Sequence, residues 1–306
     1  MDDTAVIFSH RLGEGGPLWT HLDVNRPGAR DWLEAHEPAL EPLVINALLA
    51  EDIRPRTLEI DQRALVILRG VNLNAESAPE DMVSIRIYAD AGWIVSTQKR
   101  QLQAVLDIER KIIAGSGPDS TGGFLNLLLI RLLDRMEPVF TNLDESIDDI
   151  EESLLDSADI KQRNAIVQVR KTAIILRRHM APLRDAIRQL WNLDLDWLDV
   201  AQKRHLLENH DRITRYVEDL DTIRERAQIV KDELANMLAD RLNHNTYILS
   251  VVAAIFLPLG FLTGLLGINV GGIPGADVPW AFWAFSAILA VLVLALVWVF
   301  RHLKWF

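Results

Sequence analysis

Three residues near the end of the chain, Gly267, Ile268 and Asn269, form a tripeptide that could select a cation. Asn269 carries a neutral amide oxygen. A ring of such oxygens with nearby backbone carbonyls can replace or hold the outer waters of a hydrated divalent ion without adding fixed charge. A glycine-rich stretch at 270–275 follows and can bring carbonyl groups close together. We therefore predict a cation-selective element at these three residues.

A row of acidic residues lies upstream of the tripeptide, one every seven positions: Asp211, Glu218, Glu225 and Asp232. This spacing places all four on one face of a helix, and two further steps of seven reach Thr246. Most such rows are the solvated outer face of a helix. The alternative is an acidic vestibule, which would raise the local cation concentration by electrostatic focusing. The residues alone leave both interpretations open.

A denser group of acidic residues is typical of a solvated surface and comprises Asp144, Glu145, Asp148, Asp149, Glu151 and Glu152. The histidines form no pair four residues apart and no His-Glu-x-x-His array, so the sequence shows no preformed tetrahedral zinc site. His244, just before the apolar C-terminal part, is either a protonation site or an interfacial polar residue. The absence of cysteine excludes disulfides and thiolate metal sites.

Two uncharged stretches predict membrane-spanning helices at the C-terminal end. Residues 247–266 contain no charged side chain. A helix of that length measures about 30 Å, the thickness of the hydrocarbon core of a bilayer. Residues 280–300 are also uncharged, and Arg301 and Lys304 follow them. The intervening loop has neither Lys nor Arg, so the positive-inside bias places both termini in the cytoplasm and the loop outside.

The first span has two different faces. Its bulky face contains Ile248, Val251, Ile255, Leu259, Leu262 and Leu266. The opposite face is small or weakly polar and contains Thr246, Ser250, Ala253, Leu257, Gly260 and Gly264. In lipid the bulky face can meet acyl chains, whereas the small face needs neighbouring helices or water. The small face is therefore either a helix-packing seam or a pore lining.

The residues before the spans predict an α+β domain followed by long helices. Short β-like runs, at 5–8, 58–60, 65–68, 84–88 and 93–96, mix with amphipathic helical runs. No Gly or Pro occurs between Asp196 and Leu257, which predicts one helix of about 70 residues that ends at Gly267. A heptad seam along it predicts coiled-coil-like packing that holds the subunits together: Leu206, Ile213, Leu220, Ala227 and Leu234.

These features together resemble the CorA superfamily of divalent-cation transport proteins. The string at 267–275, Gly-Ile-Asn-Val-Gly-Gly-Ile-Pro-Gly, is similar to its zinc-transporting ZntB branch. Magnesium members usually carry Gly-Met-Asn, often after Tyr, and here Leu266 and Ile268 occupy those places. The resemblance implies a funnel-shaped homo-oligomer, a pentamer, in a bacterial inner membrane. It also implies zinc as the transported ion, a proton-linked mechanism and no tightly bound cofactor.

On this interpretation the chain divides into seven segments. They are a cytoplasmic α/β domain at 1–120, long antiparallel helices at 121–195, the cytoplasmic part of a pore helix at 196–246, spans at 247–266 and 280–300, an external loop at 267–279, and a basic cytoplasmic tail at 301–306. The chain carries a formal charge of −11. Only Asp277, Arg301 and Lys304 are charged after Thr246, so the preceding residues carry −12. Such a domain repels nucleic acid and favours cations.

Divalent-cation transport is the function that these observations favour, with several copies enclosing the path. Two alternatives are a magnesium or other divalent-cation channel of the same superfamily, and a membrane-anchored metal sensor or scaffold. The sequence contains no nucleophile elbow, metal-ligand helix or carboxylate pair at a recognisable spacing, which argues against an enzyme. The expected partners are copies of the same chain, membrane lipid and divalent cations.

Overall fold

The computed structural model describes residues 3–36, 40–51, 53–156, 159–268, 273, 275 and 278–302. The chain divides into two compact units, Met1–Asp232 (unit 1) and Glu233–Phe306 (unit 2). Unit 1 combines a β-sheet with helices, and unit 2 consists of helix apart from its described loop residues. The predicted class, an α+β domain followed by long helices and two apolar C-terminal helices, is confirmed.

Among the described residues, six strands form one sheet in the order β1-β2-β6-β5-β4-β3. Their bounds are β1 Val6–Arg11, β2 Leu18–Asp23, β3 Arg56–Ile60, β4 Arg63–Gly70, β5 Val83–Ala89 and β6 Trp93–Gln98. Strands β2 and β6 pair in parallel, and the other neighbouring pairs are antiparallel. The sequence patterns missed β2. Its middle residues are buried on both faces of the sheet, so they do not alternate between apolar and polar types.

Helices cover both faces of the sheet. On one face α1, Ala29–His36, and α2, Pro42–Leu49, share a hydrophobic core with strand residues such as Leu65 and Val95. On the other face the Trp19 ring packs against Phe124 at a centroid distance of 4.8 Å. Phe124 belongs to α4, Thr121–Asp156, which follows the short helix α3, Gln103–Ile113. Apolar burial on both faces is the main stabilising contribution to this unit.

The turn between β3 and β4 is hydrogen-bonded to the backbone of a connecting segment at residues 194–196. Ile60 pairs with Arg63, so the turn has two residues, and both Asp61 and Gln62 adopt positive φ, at 47° and 60°. This is the geometry that matches the twist of a two-residue hairpin, although neither residue is glycine. The Gln62 side chain donates to the Asp194 carbonyl and accepts from the backbone N–H of Asp196, at 3.1 and 3.0 Å. These bonds offset the backbone strain of the turn.

The remaining helices are α5, Ile160–Asn192, α6, Val200–Leu266, and α7, Ala281–His302. The helix predicted from Asp196 begins at Val200 because Asp199 caps it. The Gln202 N–H donates to the Asp199 carboxylate at 2.7 Å, and the Asp199 N–H donates to the Gln202 side chain at 3.1 Å. Helix α6 ends one residue before Gly267, as the glycine predicted.

Candidate cation pathway

Two helices are long and apolar enough to cross a membrane, α6 through its C-terminal part and α7 over its length. In the most apolar window of each helix, 6% and 0% of the residues are buried inside the chain. The apolar core helix of a soluble protein would be mostly buried, so the exposure of these windows favours a bilayer as their surroundings.

The small face of α6 is uncovered along its whole length in a single chain. Thr246, Ser250, Ala253, Leu257, Gly260 and Gly264 are all exposed. Leu257 has 70% of its surface exposed, and a Cβ atom added at Gly260 or Gly264 would meet nothing within 4 Å. No other described part of the chain therefore uses these glycines as a packing seam. The seam is available to a second copy or to water.

The opposite, bulky face of α6 is covered in its middle, whereas Ile248 and Leu266 at its two ends are exposed. Val251 is 7% exposed, and Ile255, Leu259 and Leu262 are partly buried. Helix α7 shows a matching pattern, since Phe300 is buried and the leucines one or two turns before it are partly buried. Bulky side chains thus account for the burial inside unit 2. The expectation that this face meets acyl chains is wrong for Val251, because the chain itself covers it.

The one serine of the small face has its hydroxyl proton fixed. Ser250 Oγ donates to the Thr246 carbonyl at 2.9 Å, the usual i−4 bond of a helical serine. A hydroxyl that donates backwards keeps its lone pairs for other partners. Ser250 can therefore act toward its surroundings as an acceptor, which suits a cation or its hydration water.

The C-terminal end of α6 explains why Gly267 stands there. Its N–H donates to the Thr263 carbonyl at 2.9 Å, and a Cβ atom at Gly267 would lie 2.8 Å from that same oxygen. Gly267 is not among the glycines with positive φ. Glycine is thus required here by a close approach to the preceding turn rather than by a left-handed backbone. Ile268 is exposed, and Asn269 lies outside the described residues.

The acidic row lies in unit 1, and all four of its side chains are exposed. Asp211, Glu218, Glu225 and Asp232 share one side of α6, as their spacing predicted. Next to the row, burial raises the pKa of Asp219, and the neighbouring carboxylates of Asp144 and Glu218 raise it further. Desolvation is thus the first cause of this shift, and the like charges are the second. The exposure of the row agrees with a solvated face and with a vestibule alike.

The heptad seam of α6 is buried by other residues of the same chain. Leu206, Ile213, Leu220 and Ala227 have no exposed surface, and Leu234 is also buried. The prediction that this seam holds the subunits together is wrong, because residues of the same chain already cover it. In unit 1 the neighbouring helices are α4 and α5, to which α6 is tied by Arg212–Asp134 and Arg177–Asp221 at 2.8 and 2.6 Å. The seam therefore cannot hold one copy to another.

Part of the acidic group on α4 is neutralised rather than solvated. Arg226 of α6 contacts Asp144, Asp148 and Glu151 at 3.2, 2.5 and 2.6 Å. The hydrogen bonds that Arg226 donates to Glu151 and Asp148 raise its pKa above its already high ordinary value. The sequence patterns did not single out this arginine. Its signal was a basic residue on one long helix and carboxylates at i, i+4 and i+7 on another.

In the described part of the chain, no group of three His, Asp or Glu side chains is arranged to hold a metal ion. His244 is exposed and belongs to unit 2. The candidate pathway therefore consists of separate uncharged and acidic surfaces along α6 rather than of a preformed metal centre. Surfaces of this kind suit an ion that passes rather than one that stays.

Comparisons with known proteins agree with this arrangement. A family model described as CorA-like Mg2+ transporter protein matches residues 14–302. The zinc transport protein ZntB of Yersinia enterocolitica is 36% identical over 98% of this chain and 96% of its own. The divalent cation transporter CmaX of Pseudomonas aeruginosa is 37% identical over 94% of this chain and 87% of its own.

A solved structure shows that the similarity extends to the fold. The structure of the full-length CmaX protein matches with a TM-score of 0.86 at 35% identity, and the match covers 100% of this chain and 99% of the other. Sequence, family model and fold thus agree over nearly the whole length, including both apolar helices. The chain therefore belongs to the CorA-like family of transporter proteins.

Proposed function

We propose that this protein transports divalent metal cations, with zinc as the main transported ion, along a path lined by the small face of α6. The observation that carries the proposal is that face. It is uncharged, it contains Thr246 and Ser250 as its polar residues, and no described part of the chain covers it. The relatives at 36% and 37% identity are a zinc transport protein and a divalent cation transporter.

The proposal requires several copies of the chain. One pair of helices cannot enclose a pore, and the small face of a single copy is open to its surroundings. Copies arranged around a common axis would turn these faces toward one another, with Gly260 and Gly264 permitting close approach. Self-association follows from this requirement, and a pentamer is the number that the family resemblance implies. Membrane lipid would then meet the outward surfaces of α7.

Selectivity is assigned to Gly267, Ile268 and Asn269 at the end of α6. Neutral oxygens would hold a hydrated divalent ion without trapping it. Zinc is preferred to magnesium because Leu266 and Ile268 differ from the residues of magnesium members, and because the relatives with a named cargo include zinc transport proteins. The metal is cargo in this proposal, so the protein needs no tightly bound cofactor and no catalytic group.

The acidic row of unit 1 is assigned the role of a vestibule. Four exposed carboxylates per copy would concentrate cations by focusing. The protein is assigned to a bacterial inner membrane with both termini in the cytoplasm. The loop between the spans would then lie outside, which agrees with its lack of Lys and Arg.

Ion flux into liposomes tests the function directly. The purified protein is reconstituted, and metal and proton gradients are set independently while a fluorescent zinc indicator reports entry. We expect zinc entry that depends on the protein, and a pH gradient that changes its rate if protons are coupled. Magnesium entry in preference to zinc would favour the magnesium alternative. Absence of flux for every divalent cation would favour a membrane-anchored sensor.

A further inference from the structure

A cavity of about 500 Å³ in unit 1 lies between the sheet and α5, and basic side chains dominate its walls. They come from four segments of the chain: Arg54 before β3, Arg69 at the end of β4, Arg100 after β6, and Arg178 with His179 in α5. Two carboxylates, Glu80 and Asp81, line it as well. Such an excess of arginine is unexpected in a domain whose formal charge is strongly negative.

Three of these arginines are not paired with a carboxylate. Arg54, Arg100 and Arg178 are exposed, and in the described part of the chain none of them makes an ion pair within 4.0 Å or a side-chain hydrogen bond. Elsewhere in unit 1 arginines do find carboxylates, as Arg135 does with Asp107 at 2.6 Å. The cavity thus gathers cationic groups that repel one another, and an anion would relieve this repulsion.

The base of the cavity presents donors. Arg69 is only 8% exposed, and it donates to the Ile53 carbonyl and to His179 Nδ1, both at 3.2 Å. A guanidinium group can only donate, so His179 Nδ1 is the acceptor and the ring proton resides on Nε2. This bond fixes the orientation of both side chains, and it makes the second ring nitrogen of His179 a donor.

A second cavity of about 280 Å³ adjoins the first and shares Arg69 and Arg100 with it. It adds Arg86, which donates to the carbonyls of Ala50 and Glu51, and Lys99, whose ammonium group pairs with the Glu51 carboxylate that also lines this cavity. The basic surface therefore continues along the ends of β4, β5 and β6. A surface of this extent can hold more than one anionic group at a time.

We propose that this cleft binds a small polyanion with two or more phosphate groups and no aromatic ring. Arginine forks match phosphate oxygens two at a time, and four arginines from separate segments suit a ligand with several such oxygens. The volume lies within the range of small-molecule sites. No Phe, Tyr or Trp lines either cavity within the described residues, so the cleft offers no surface on which a nucleobase would stack.

A bound polyanion would act on the helices that carry the acidic row. It would join Arg178 of α5 to Arg69 and Arg100 of the sheet. Arg177, the residue before Arg178, pairs with Asp221 of α6 at 2.6 Å. Fixing α5 against the sheet therefore also restrains α6 in unit 1. The location of the cleft therefore suits a regulatory site, because the cleft is separate from the residues assigned to the ion path.

Isothermal titration of pyrophosphate into the full-length protein in detergent tests the proposal. We expect about one pyrophosphate per chain, with an affinity that falls as salt is added. Arg100→Gln and Arg178→Gln should each weaken binding about tenfold, the loss expected for one charge-assisted hydrogen bond. Glu80→Gln should strengthen it, because it removes a repelling carboxylate. Thermal unfolding of each exposed-site variant verifies that it is folded.

Arg188→Gln is the matched control, because Arg188 is also exposed on α5 but does not line the cavity. It should bind pyrophosphate as the wild type does. The absence of binding at millimolar pyrophosphate would overturn the proposal, and so would an equal loss of affinity in Arg188→Gln. ATP that binds tenfold more tightly than tripolyphosphate would overturn the exclusion of an aromatic ligand. These readouts do not depend on ion flux.

Discussion

His21 is a buried ionisable residue that the sequence alone presented as one of several scattered histidines. It is 1% exposed, and its Nδ1 lies 2.7 Å from Ser96 Oγ, which in turn accepts from the Trp19 indole at 2.8 Å. Burial lowers the pKa of His21 from 6.5 to about 4, despite opposing contributions from Gln98 and Asp23. The folded protein therefore holds this ring neutral.

The neutral His21 makes stability depend on pH. Between pH 6.5 and 4 the unfolded chain binds a proton that the folded chain refuses, so acidification through this window destabilises the fold, by about 3 kcal/mol in total. We expect the midpoint of thermal unfolding to fall less between pH 7 and pH 4 in His21→Asn than in the wild type. His205→Asn, at an exposed position, is the control and should follow the wild type. Equal slopes in all three proteins would refute a buried neutral His21.

Substitutions at Gly267 and at Asn269 are predicted to affect assembly and ion flux differently. Gly267→Ala places a Cβ atom 2.8 Å from the Thr263 carbonyl oxygen, so the end of α6 must shift. We expect it to disturb assembly as well as flux. Asn269→Ala removes a neutral oxygen, and we expect an unchanged oligomeric mass with zinc flux at least tenfold lower or with lost selectivity.

Size-exclusion chromatography with light scattering and liposome flux separate the two effects. Wild-type flux and selectivity in Asn269→Ala would remove the assignment of the tripeptide as the selective element. Wild-type assembly in Gly267→Ala would show that the helix end tolerates the shift.

At the scale of the element, α6 presents three different surfaces along its length. Its seam is buried, in unit 1 from Leu206 to Ala227 and in unit 2 at Leu234. Its acidic row is exposed in unit 1, and its small face is exposed in unit 2. The Arg226 contacts with three carboxylates of α4 fix the rotation of the helix about its own axis in unit 1. The exposed row is thereby presented on one defined side.

The acidic row is predicted to speed cation entry at low salt. Replacing Asp211, Glu218, Glu225 and Asp232 by Asn or Gln should lower zinc flux several-fold at about 10 mM ionic strength. The effect should fade near 150 mM, where focusing is screened within about 8 Å.

The control for this experiment removes the same number of charges from exposed positions elsewhere in unit 1: Glu59, Glu145, Asp149 and Glu152. It should leave the flux near the wild-type value. If the row variant and the wild type have equal flux at every salt concentration, the row is only a solvated surface and not a vestibule.

At the scale of the whole molecule, the orientation of the chain in the membrane follows from where its basic residues are. Arg241 precedes the first span, Arg301 and Lys304 follow the second, and the loop between them has no basic residue. Because the chain has no cysteine, introduced thiols report position without background.

Gly272→Cys should therefore react with an impermeant thiol reagent added outside intact cells, and Lys304→Cys should react only after the membrane is opened. The measurement is labelling of the two variants before and after permeabilisation. Labelling of Lys304→Cys from outside would contradict the proposed arrangement of the termini.

Much of the architecture was determined by local properties of the sequence. Runs without charge that match the bilayer thickness identify α7 and the end of α6, and Gly267 marks where α6 ends, whereas its start at Val200 was predicted too early, at Asp196. Such signals depend only on nearby residues, since hydrogen bonding, capping and hydropathy act within a few turns. The Gly-Ile-Asn string is equally local and identified the family that the comparisons confirmed.

Only the tertiary structure decided which surfaces are used. The seam of α6 could have joined two copies, and it is buried within one chain instead. Strand β2 escaped the pattern because helices cover both of its faces. The arginine cleft joins segments more than a hundred residues apart, from Arg54 to His179. Burial and charge clustering of this kind arise from contacts between distant segments, and sequence periodicity contains no record of which distant segments meet.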